Sequence, residues 1–321
     1  MMMKLIAAGV AVGLFWAGVS HAQPWPSKPV RLIVGFPAGG GVDFFARALG
    51  QKLQEQLGQP VIVDNRSGAN GIIGADVVAK APPDGYTVLI SNEAQIVINQ
   101  NFYSKMPYDP VKDLEPVSEA VYAAVMMFVH PSVPVKSLKE LIALAKAKPG
   151  QLAYASVGTG TVHHLTAELL KSTAKINILH VPYKGGGPAS IAMVSGEVPM
   201  GFAGFSALAH ARSGRLRALA TTGSKRGEAT PDLPTFVELG FPDIRLVGWY
   251  GVLVPARTPN DIISRLYSEV LKAVHAPDLK TRLAQQGIET VGTSPDEFAR
   301  FIQSEIPLYA KLVKESGAKL D

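Results

Sequence analysis

Cysteine is absent from the 321 residues of this chain. Without cysteine the protein has no disulfide framework, no thiolate metal site and no thiol nucleophile. The sequence also lacks the GxxxxGK[ST], GxSxG and HExxH motifs, and the partial GxGxxG pattern that begins at Gly158 has His163 in place of its last glycine. These absences disfavour a nucleotide-binding protein, a serine hydrolase and a zinc protease.

A concentrated basic surface is missing as well. The chain has 31 Lys+Arg and 26 Asp+Glu, which leaves a formal net charge of +5. The basic residues form only short local groups, such as Lys225-Arg226, among acidic neighbours. Because nucleic-acid binding needs basic residues gathered on one face, we expect no nucleic-acid partner.

One long apolar run is present, and it lies at the N-terminus. Lys4 precedes the apolar residues Leu5 to Val19, and the small residues of Ser20-His21-Ala22 follow them. This pattern predicts a signal peptide over residues 1–22 that is cleaved before Gln23, although an uncleaved anchor helix would show a similar run. We therefore expect a periplasmic protein, not lipidated because no cysteine stands at the cleavage point.

The remaining sequence alternates short apolar runs with amphipathic segments, twice over. Strand–helix–strand repetition predicts parallel sheets covered by helices, hence an α/β fold with two lobes. No flexible linker separates the lobes, so we predict that the chain crosses between them at Val121–Val129 and Trp249–Val254. Lobe 1 is predicted to comprise residues 23–124 and 250–321, and lobe 2 residues 125–249.

Three glycine-rich loops each follow a predicted strand and precede a predicted helix, at residues 36–43, 156–164 and 183–189. Glycine lets backbone N–H groups approach a ligand, and a helix N-terminus favours an anion. Ligands of open α/β sheets bind beyond the carboxyl ends of the strands, so these loops predict an anion site in a hinged cleft. Asn92 follows the third predicted strand and has suitable polarity for the same site.

Several side chains near these loops allow more than one interpretation. Asp43 either stabilises a helix start or receives an amino group of a ligand, and Lys184 either pairs with a ligand carboxylate or lies on the rim. We expect one of His163 and His164 to bind the loop backbone and the other to lie near the cleft. His164 and Glu168 have the i,i+4 spacing of a metal pair, but no third ligand is evident, so no metal or other cofactor is expected.

The chain resembles the Bug-type extracytoplasmic solute receptors of tripartite tricarboxylate transporters. The resemblance covers nearly all of the chain after the predicted signal peptide, and the segments that carry it are Trp25–Arg31 with the Phe36–Gly41 loop, Val63–Arg66, Pro83–Thr87, Tyr154–Leu165, Val181–Gly185, Leu233–Thr235 and Gly248–Gly251. It implies a type II, Venus-flytrap binding protein whose two interleaved lobes close on a small carboxylate or a related acid or amide.

Carried over by position, the resemblance implies a set of ligand-binding residues drawn from both lobes. To these we add Asp43 and Gly204, and the full set is Phe36, Ala38, Gly40, Asp43, Asn92, Ser156, Gly158, Gly160, Thr161, His164, Lys184, Gly185, Ala189 and Gly204. Two positions depart from the family pattern. Val42 stands where relatives often have Thr or Ser, and Gly204 where many have a polar or acidic residue, which disfavours an amino-acid ligand.

The resemblance implies a monomeric receptor, not an enzyme, that delivers its ligand to a membrane transporter. A receptor for a membrane sensor kinase is an alternative that the sequence leaves open. A periplasmic hydrolase using His164 or Ser156 is an alternative of another class, disfavoured because no nucleophile elbow or Ser-His-Asp arrangement is evident.

Overall fold

The computed structural model describes residues 25–317. In chain order, its strands are β1 Val30–Val34, β2 Val61–Asn65, β3 Thr87–Asn92, β4 Leu114–Ala124, β5 Met126–Val129, β6 Ala153–Ser156, β7 Leu179–Pro182, β8 Met200–Ala203, β9 Arg217–Thr221, β10 Val247–Pro255 and β11 Ile288–Thr290. Its α-helices are α1 Gly41–Leu57, α2 Ile72–Ala79, α3 Leu138–Ala147, α4 Val162–Ala174, α5 Gly186–Ser195, α6 Phe205–Arg212, α7 Asn260–His275, α8 Pro277–Ala284 and α9 Pro295–Ser316. Short helical turns cover Ala69–Gly71, Ala94–Ile98 and Asn99–Asn101.

The strands form two separate sheets, one in each lobe. The first has the order β11-β4-β10-β3-β1-β2 and the second has the order β7-β6-β8-β5-β9. Strands β1, β2 and β3 run parallel, but β10 runs antiparallel to both β3 and β4. In the second sheet β5 is antiparallel to β8 and β9. The prediction of parallel sheets was therefore wrong for the strands near the lobe junction.

The reversed strands arise where the chain passes between lobes. The predicted continuous strand Val121–Val129 is divided at Val125: β4 belongs to the first sheet and β5 to the second. The other predicted crossing, Trp249–Val254, lies wholly within β10 of the first sheet, so the chain returns between Thr221 and Val247 instead. Because β10 begins at Val247, the predicted lobe boundary at residue 250 falls inside a strand; the lobe ranges themselves stay a prediction.

A buried apolar core joins the two lobes along one side. Trp249 of β10 packs edge-on against Phe298 and Phe301 of α9, at ring-centroid distances of 5.4 and 6.0 Å. This core continues into the second lobe through Tyr154 and Leu165. Helix α9 of the first lobe therefore also packs against the second lobe, through α4.

The local signals in the sequence account for most of the helices. Helix α9 begins with a capping box in which Ser294 accepts the backbone N–H of Glu297 and the Glu297 carboxylate accepts that of Ser294. Helix α1 ends at Gly58, which is in the left-handed conformation. Helix α6 and strand β11, both short, were not predicted.

The predicted signal peptide, residues 1–22, lies outside the described residues. Within residues 25–317, no helix is long and apolar enough to cross a membrane.

Candidate functional site

A cleft between the lobes brings together the carboxyl ends of strands from both sheets. It encloses about 770 Å³, counting the space open to solvent at its mouth. The lining comes from the loop after β1, the ends of β3 and β4, the first residues of β10 and the loops that begin α4, α5 and α6. These residues are Phe36, Pro37, Ala38, Gly40, Gly41, Val42, Asn92, Glu93, Ala123, Ala124, Val157, Thr161, His163, Lys184, Gly185, Gly186, Gly187, Pro188, Gly204, Ser206, Gly248 and Tyr250.

In lobe 1, a hydrogen-bonded carboxylate holds the loop that precedes α1. Asp43 accepts the Gly39 N–H at 2.9 Å and the Arg47 Nε–H at 3.0 Å. The Asn65 amide donates to Asp43 and to the Phe36 carbonyl, both at 3.0 Å. Burial alone would raise the pKa of Asp43, but these bonds outweigh it and lower the pKa. The carboxylate therefore stays charged and holds the conformation of the loop through these hydrogen bonds.

In lobe 2, the loop after β6 is held by its own side chains. Thr161 donates to the Gly158 carbonyl at 2.7 Å and caps α4 by accepting the His164 N–H at 3.4 Å. His164 in turn accepts the Gly160 N–H through Nδ1, at 3.2 Å. Because this helix start is already capped, it has fewer free donors for a ligand than an uncapped one.

A stack of rings supports that loop from below. The His180 ring lies between Tyr154 and His164, with centroid distances of 4.9 and 4.1 Å. Its Nε2 lies 2.7 Å from the Ser156 hydroxyl. Burial, together with the neighbouring His164 and Lys171, lowers the pKa of His180 to about 3. His180 is therefore neutral in the folded protein at neutral pH.

The third loop sets the starts of α5 and α6 side by side. Gly185 precedes α5 with a φ of +104°, a conformation that other residues rarely adopt. The hydroxyls of Ser190 and Ser206 lie 2.7 and 3.1 Å from the Gly186 carbonyl and 3.0 Å from each other. These contacts tie the first turn of α5 to that of α6.

Three helices begin at the cleft without a side-chain cap. Glycine is the N-cap residue of each: Gly40 for α1, Gly185 for α5 and Gly204 for α6. Their first backbone N–H groups are therefore free to meet a ligand, and each helix dipole favours negative charge. Lys184, an exposed residue, is the one lysine or arginine among the described residues that line this cleft.

The floor of the cleft carries the polar residues Asn92, Glu93 and His163. Glu93 is only 2% exposed and accepts the backbone N–H of Trp249 at 3.2 Å. Burial raises the pKa of Glu93 to about 7 and lowers that of His163 to about 4. At neutral pH His163 is uncharged, and Glu93 is poised between its two protonation states.

The structure divides the predicted binding residues into two groups. The residues on the cleft surface are Phe36, Ala38, Gly40, Asn92, Thr161, Lys184, Gly185 and Gly204. Those outside the lining are Asp43, Ser156, Gly158, Gly160, His164 and Ala189. In this structure the members of the second group lie in the loops and helix starts that border the cleft, and direct contact between any of these residues and a ligand stays a prediction.

The same geometry bears on two of the open alternatives. Asp43 stabilises the first turn of α1 and does not face the cleft. His164 binds the loop backbone and His163 lies at the cleft, as one of the predicted arrangements had it. Glu93 was missed, although its place directly after Asn92, at the carboxyl end of β3, is a signal that could have pointed to it.

No group of three metal-ligating side chains is found within residues 25–317. His164 Nε2 lies 3.8 Å from Glu168 Oε1, and Glu168 is engaged by the Tyr154 hydroxyl at 2.6 Å and by Lys171 at 2.8 Å. The pair of residues that suggested a metal is therefore part of a hydrogen-bond network under α4.

The lobes also touch each other beside the cleft. Asn70, in the left-handed conformation at φ +50°, donates from Nδ2 to the Gly160 carbonyl at 3.2 Å and to Asn99 Oδ1 at 2.8 Å. Asn99 donates back to the Asn70 carbonyl at 3.1 Å. A lobe 1 side chain thus binds the backbone of the lobe 2 loop.

Comparison with known proteins adds the family to this geometry. The family model described as "Tripartite tricarboxylate transporter family receptor" matches residues 45–318. The chain belongs to this family. Protein BugT of Bordetella pertussis, a relative of this receptor, is 39% identical over 99% of both chains.

Solved structures similar to this receptor hold organic acids. Rhodopseudomonas palustris MatC with bound malate is 30% identical, has a TM-score of 0.84 and is matched over 99% of its length and 90% of this chain. R. palustris Rpa4515 with adipate is 34% identical, has a TM-score of 0.89 and is matched over all of its length and 92% of this chain. The predicted two-lobe α/β fold and the predicted family are confirmed.

Proposed function

We propose that this receptor captures a small organic anion, a carboxylate or a related acid or amide, in the cleft between its lobes. The bound, closed form would deliver the ligand to a membrane transporter of the tripartite tricarboxylate type. The observation that carries this proposal is the convergence of three uncapped helix starts on one cleft, with Lys184 beside them.

The binding free energy that one helix N-terminus supplies is too small for useful affinity, so several helix N-termini must act on the same ligand. One helix N-terminus stabilises an anion by about 0.3–1 kcal/mol, or up to about 2 kcal/mol where it is partly buried. Micromolar affinity needs about 8 kcal/mol. Several helix starts acting together in a cleft that closes and excludes water bring that value within reach, whereas a single glycine loop does not.

The ligand class is supported from outside the cleft as well. The related structures named above hold adipate and malate, which are both carboxylates. Gly204 leaves the start of α6 without an acidic side chain, which suits an anion better than an ammonium group. We propose the periplasm as the location and a monomer as the working form, with residues 1–22 removed as a signal peptide.

We also propose that the receptor binds without catalysis. The hydrolase alternative would need Ser156 as an activated nucleophile facing the ligand. Its hydroxyl lies 2.7 Å from His180, but Ser156 is completely buried and lies outside the cleft lining. A serine that cannot reach the ligand does not fit covalent catalysis.

Calorimetric titration of the purified protein tests the proposal with acetate, lactate, succinate, malate, adipate, citrate and succinamide. We expect one or more of the acids to bind, and Lys184→Met to weaken that binding. Lys139→Met is the matched control, because Lys139 is exposed on α3 and away from the cleft. Absence of binding by every compound to a folded protein would contradict the proposal.

Pull-down with the loaded protein tests the partner. We expect the membrane subunits of a tripartite tricarboxylate transporter to be retained by the loaded protein more than by the ligand-free one. Retention of a sensor-kinase ectodomain in their place would support the sensing alternative.

A further inference from the structure

The floor of the cleft holds a carboxyl group where the proposed function requires an anion to bind. Glu93 lines the cleft and is 2% exposed. One hydrogen bond holds its position: Oε2 accepts the Trp249 N–H at 3.2 Å. A ligand that enters this cleft therefore meets a carboxyl group on its floor.

No positive charge compensates Glu93 in the described part of the chain. It forms no ion pair there, and Lys184 on the cleft rim is not among its partners. From α9, Glu305 faces it with the same sign of charge, and Tyr309 is buried beside it. From β10 and α4, Tyr250 and His163 share the cleft with it, and both are neutral at neutral pH because burial raises the pKa of Tyr250 and lowers that of His163.

This setting favours the neutral form of Glu93 next to an anionic ligand. Two carboxylates in contact inside a desolvated site repel each other, and one of them then binds a proton. Burial already raises the pKa of Glu93 to about 7 in the ligand-free cleft, so the proton needs little further stabilisation. A protonated carboxyl group can donate a short hydrogen bond to a carboxylate oxygen.

We propose that Glu93 is a ligand-contacting residue that holds a proton in the loaded receptor, and that its O–H donates a hydrogen bond to an oxygen of the bound anion. This inference rests on the proposed function, since it needs an anionic ligand in this cleft. Its consequence is that anion binding takes up a proton from solution when the solution pH is above the pKa of Glu93. Helix starts would then bind the anion from the sides, and Glu93 from the floor.

Titration calorimetry with the tightest-binding acid of the series above tests this inference. We expect the affinity of the wild-type protein to fall about tenfold for each pH unit above about 7, as the loss of one proton requires. Buffers of different ionisation enthalpy should show uptake of about one proton per ligand at high pH. Glu93→Gln keeps a neutral donor of the same size, so its affinity should be independent of pH and show no proton uptake.

Glu119→Gln is the matched control for Glu93→Gln. Glu119 is 3% exposed and burial raises its pKa to about 7 as well, but it lies in β4 outside the cleft lining. We expect this variant to keep the pH dependence of the wild type. Glu119 and Glu305, whose pKa values burial also raises to about 7, should contribute carboxylic acid C=O absorption at neutral pH, so the infrared difference spectrum between wild type and Glu93→Gln should isolate the band of Glu93 in the ligand-free protein.

The outcomes separate the two proposals. Binding with an affinity that is flat with pH, or a pH dependence that survives in Glu93→Gln, would overturn the role of Glu93 and leave the proposed function intact. Absence of any binding heat, in wild type and variants alike, would overturn both.

Discussion

Adding one methyl group at the start of α5 should disturb the cleft through its neighbour α6. A Cβ on Gly186 would lie 2.7 Å from the Ser206 hydroxyl oxygen and 3.4 Å from the Ser206 Cβ. The first distance is too short for any contact between a carbon and an oxygen atom, whereas the second is an ordinary packing distance. In Gly186→Ala either the Ser206 hydroxyl rotates away and loses its hydrogen bond to the Gly186 carbonyl, or the two helix starts move apart.

The size of the effect follows from these distances. Overpacking of this kind costs about 1–3 kcal/mol. Ser206→Ala removes the clashing oxygen but loses its hydrogen bond with the Gly186 carbonyl, at a cost of about 1 kcal/mol. We expect the double variant to be more stable than the sum of the two single effects by about 1 kcal/mol or more, because the clash is absent in it.

Denaturant unfolding of the four proteins in this cycle measures the coupling, and calorimetric titration measures binding. Gly186→Ala should bind the ligand at least about tenfold more weakly, which corresponds to about 1.4 kcal/mol, and the double variant should recover most of this loss. Gly187→Ala serves as the stability control, since no atom lies within 4 Å of its added Cβ. Additive single effects, within about 0.3 kcal/mol, would refute the reasoning.

Three further changes test other parts of the cleft. Gly40→Ala should reduce affinity about tenfold or more by placing a methyl group among the N–H donors of α1, and should cost about 0.5–1 kcal/mol of stability because alanine is a poorer N-cap residue than glycine. Gly227→Ala, away from the cleft and also without a close contact for its Cβ, should leave affinity and stability unchanged. Calorimetry and thermal melts check both variants. Asn70→Gly retains the left-handed backbone and removes the hydrogen bond to the Gly160 carbonyl. If the closed lobes bind the ligand, affinity in the same titration should fall by about 2- to 10-fold. An unchanged affinity would show that this contact does not favour closure. The pKa of His180 is about 3 in the folded protein and about 6.5 when unfolded, so the unfolded state binds the proton first as the pH falls. The free energy of unfolding should therefore decline as the pH falls below about 6.5. Urea titrations at several pH values should show a shallower decline for His180→Gln than for the wild type.

Local sequence signals were sufficient for most helices and for the three glycine loops. The regular apolar spacing of Asn260–His275 is sufficient to predict helix α7. Short elements such as β11, with three residues, carry no periodicity from which they could be predicted. The direction of β10 was also beyond local signals, since an apolar run reads the same in a parallel and an antiparallel pairing.

The family and the two-lobe fold were determined by the sequence alone, and so were two of the places where a helix starts with glycine and leaves N–H groups free, at α1 and α5. These properties depend on neighbours along the chain. Which side chains line the cleft was decided only by the tertiary structure. His163 and His164 are adjacent in sequence, yet one lines the cleft and the other binds a loop. Glu93 became a candidate only when β10 and α9 enclosed it without a positive charge, because burial and electrostatics depend on segments far apart in the chain.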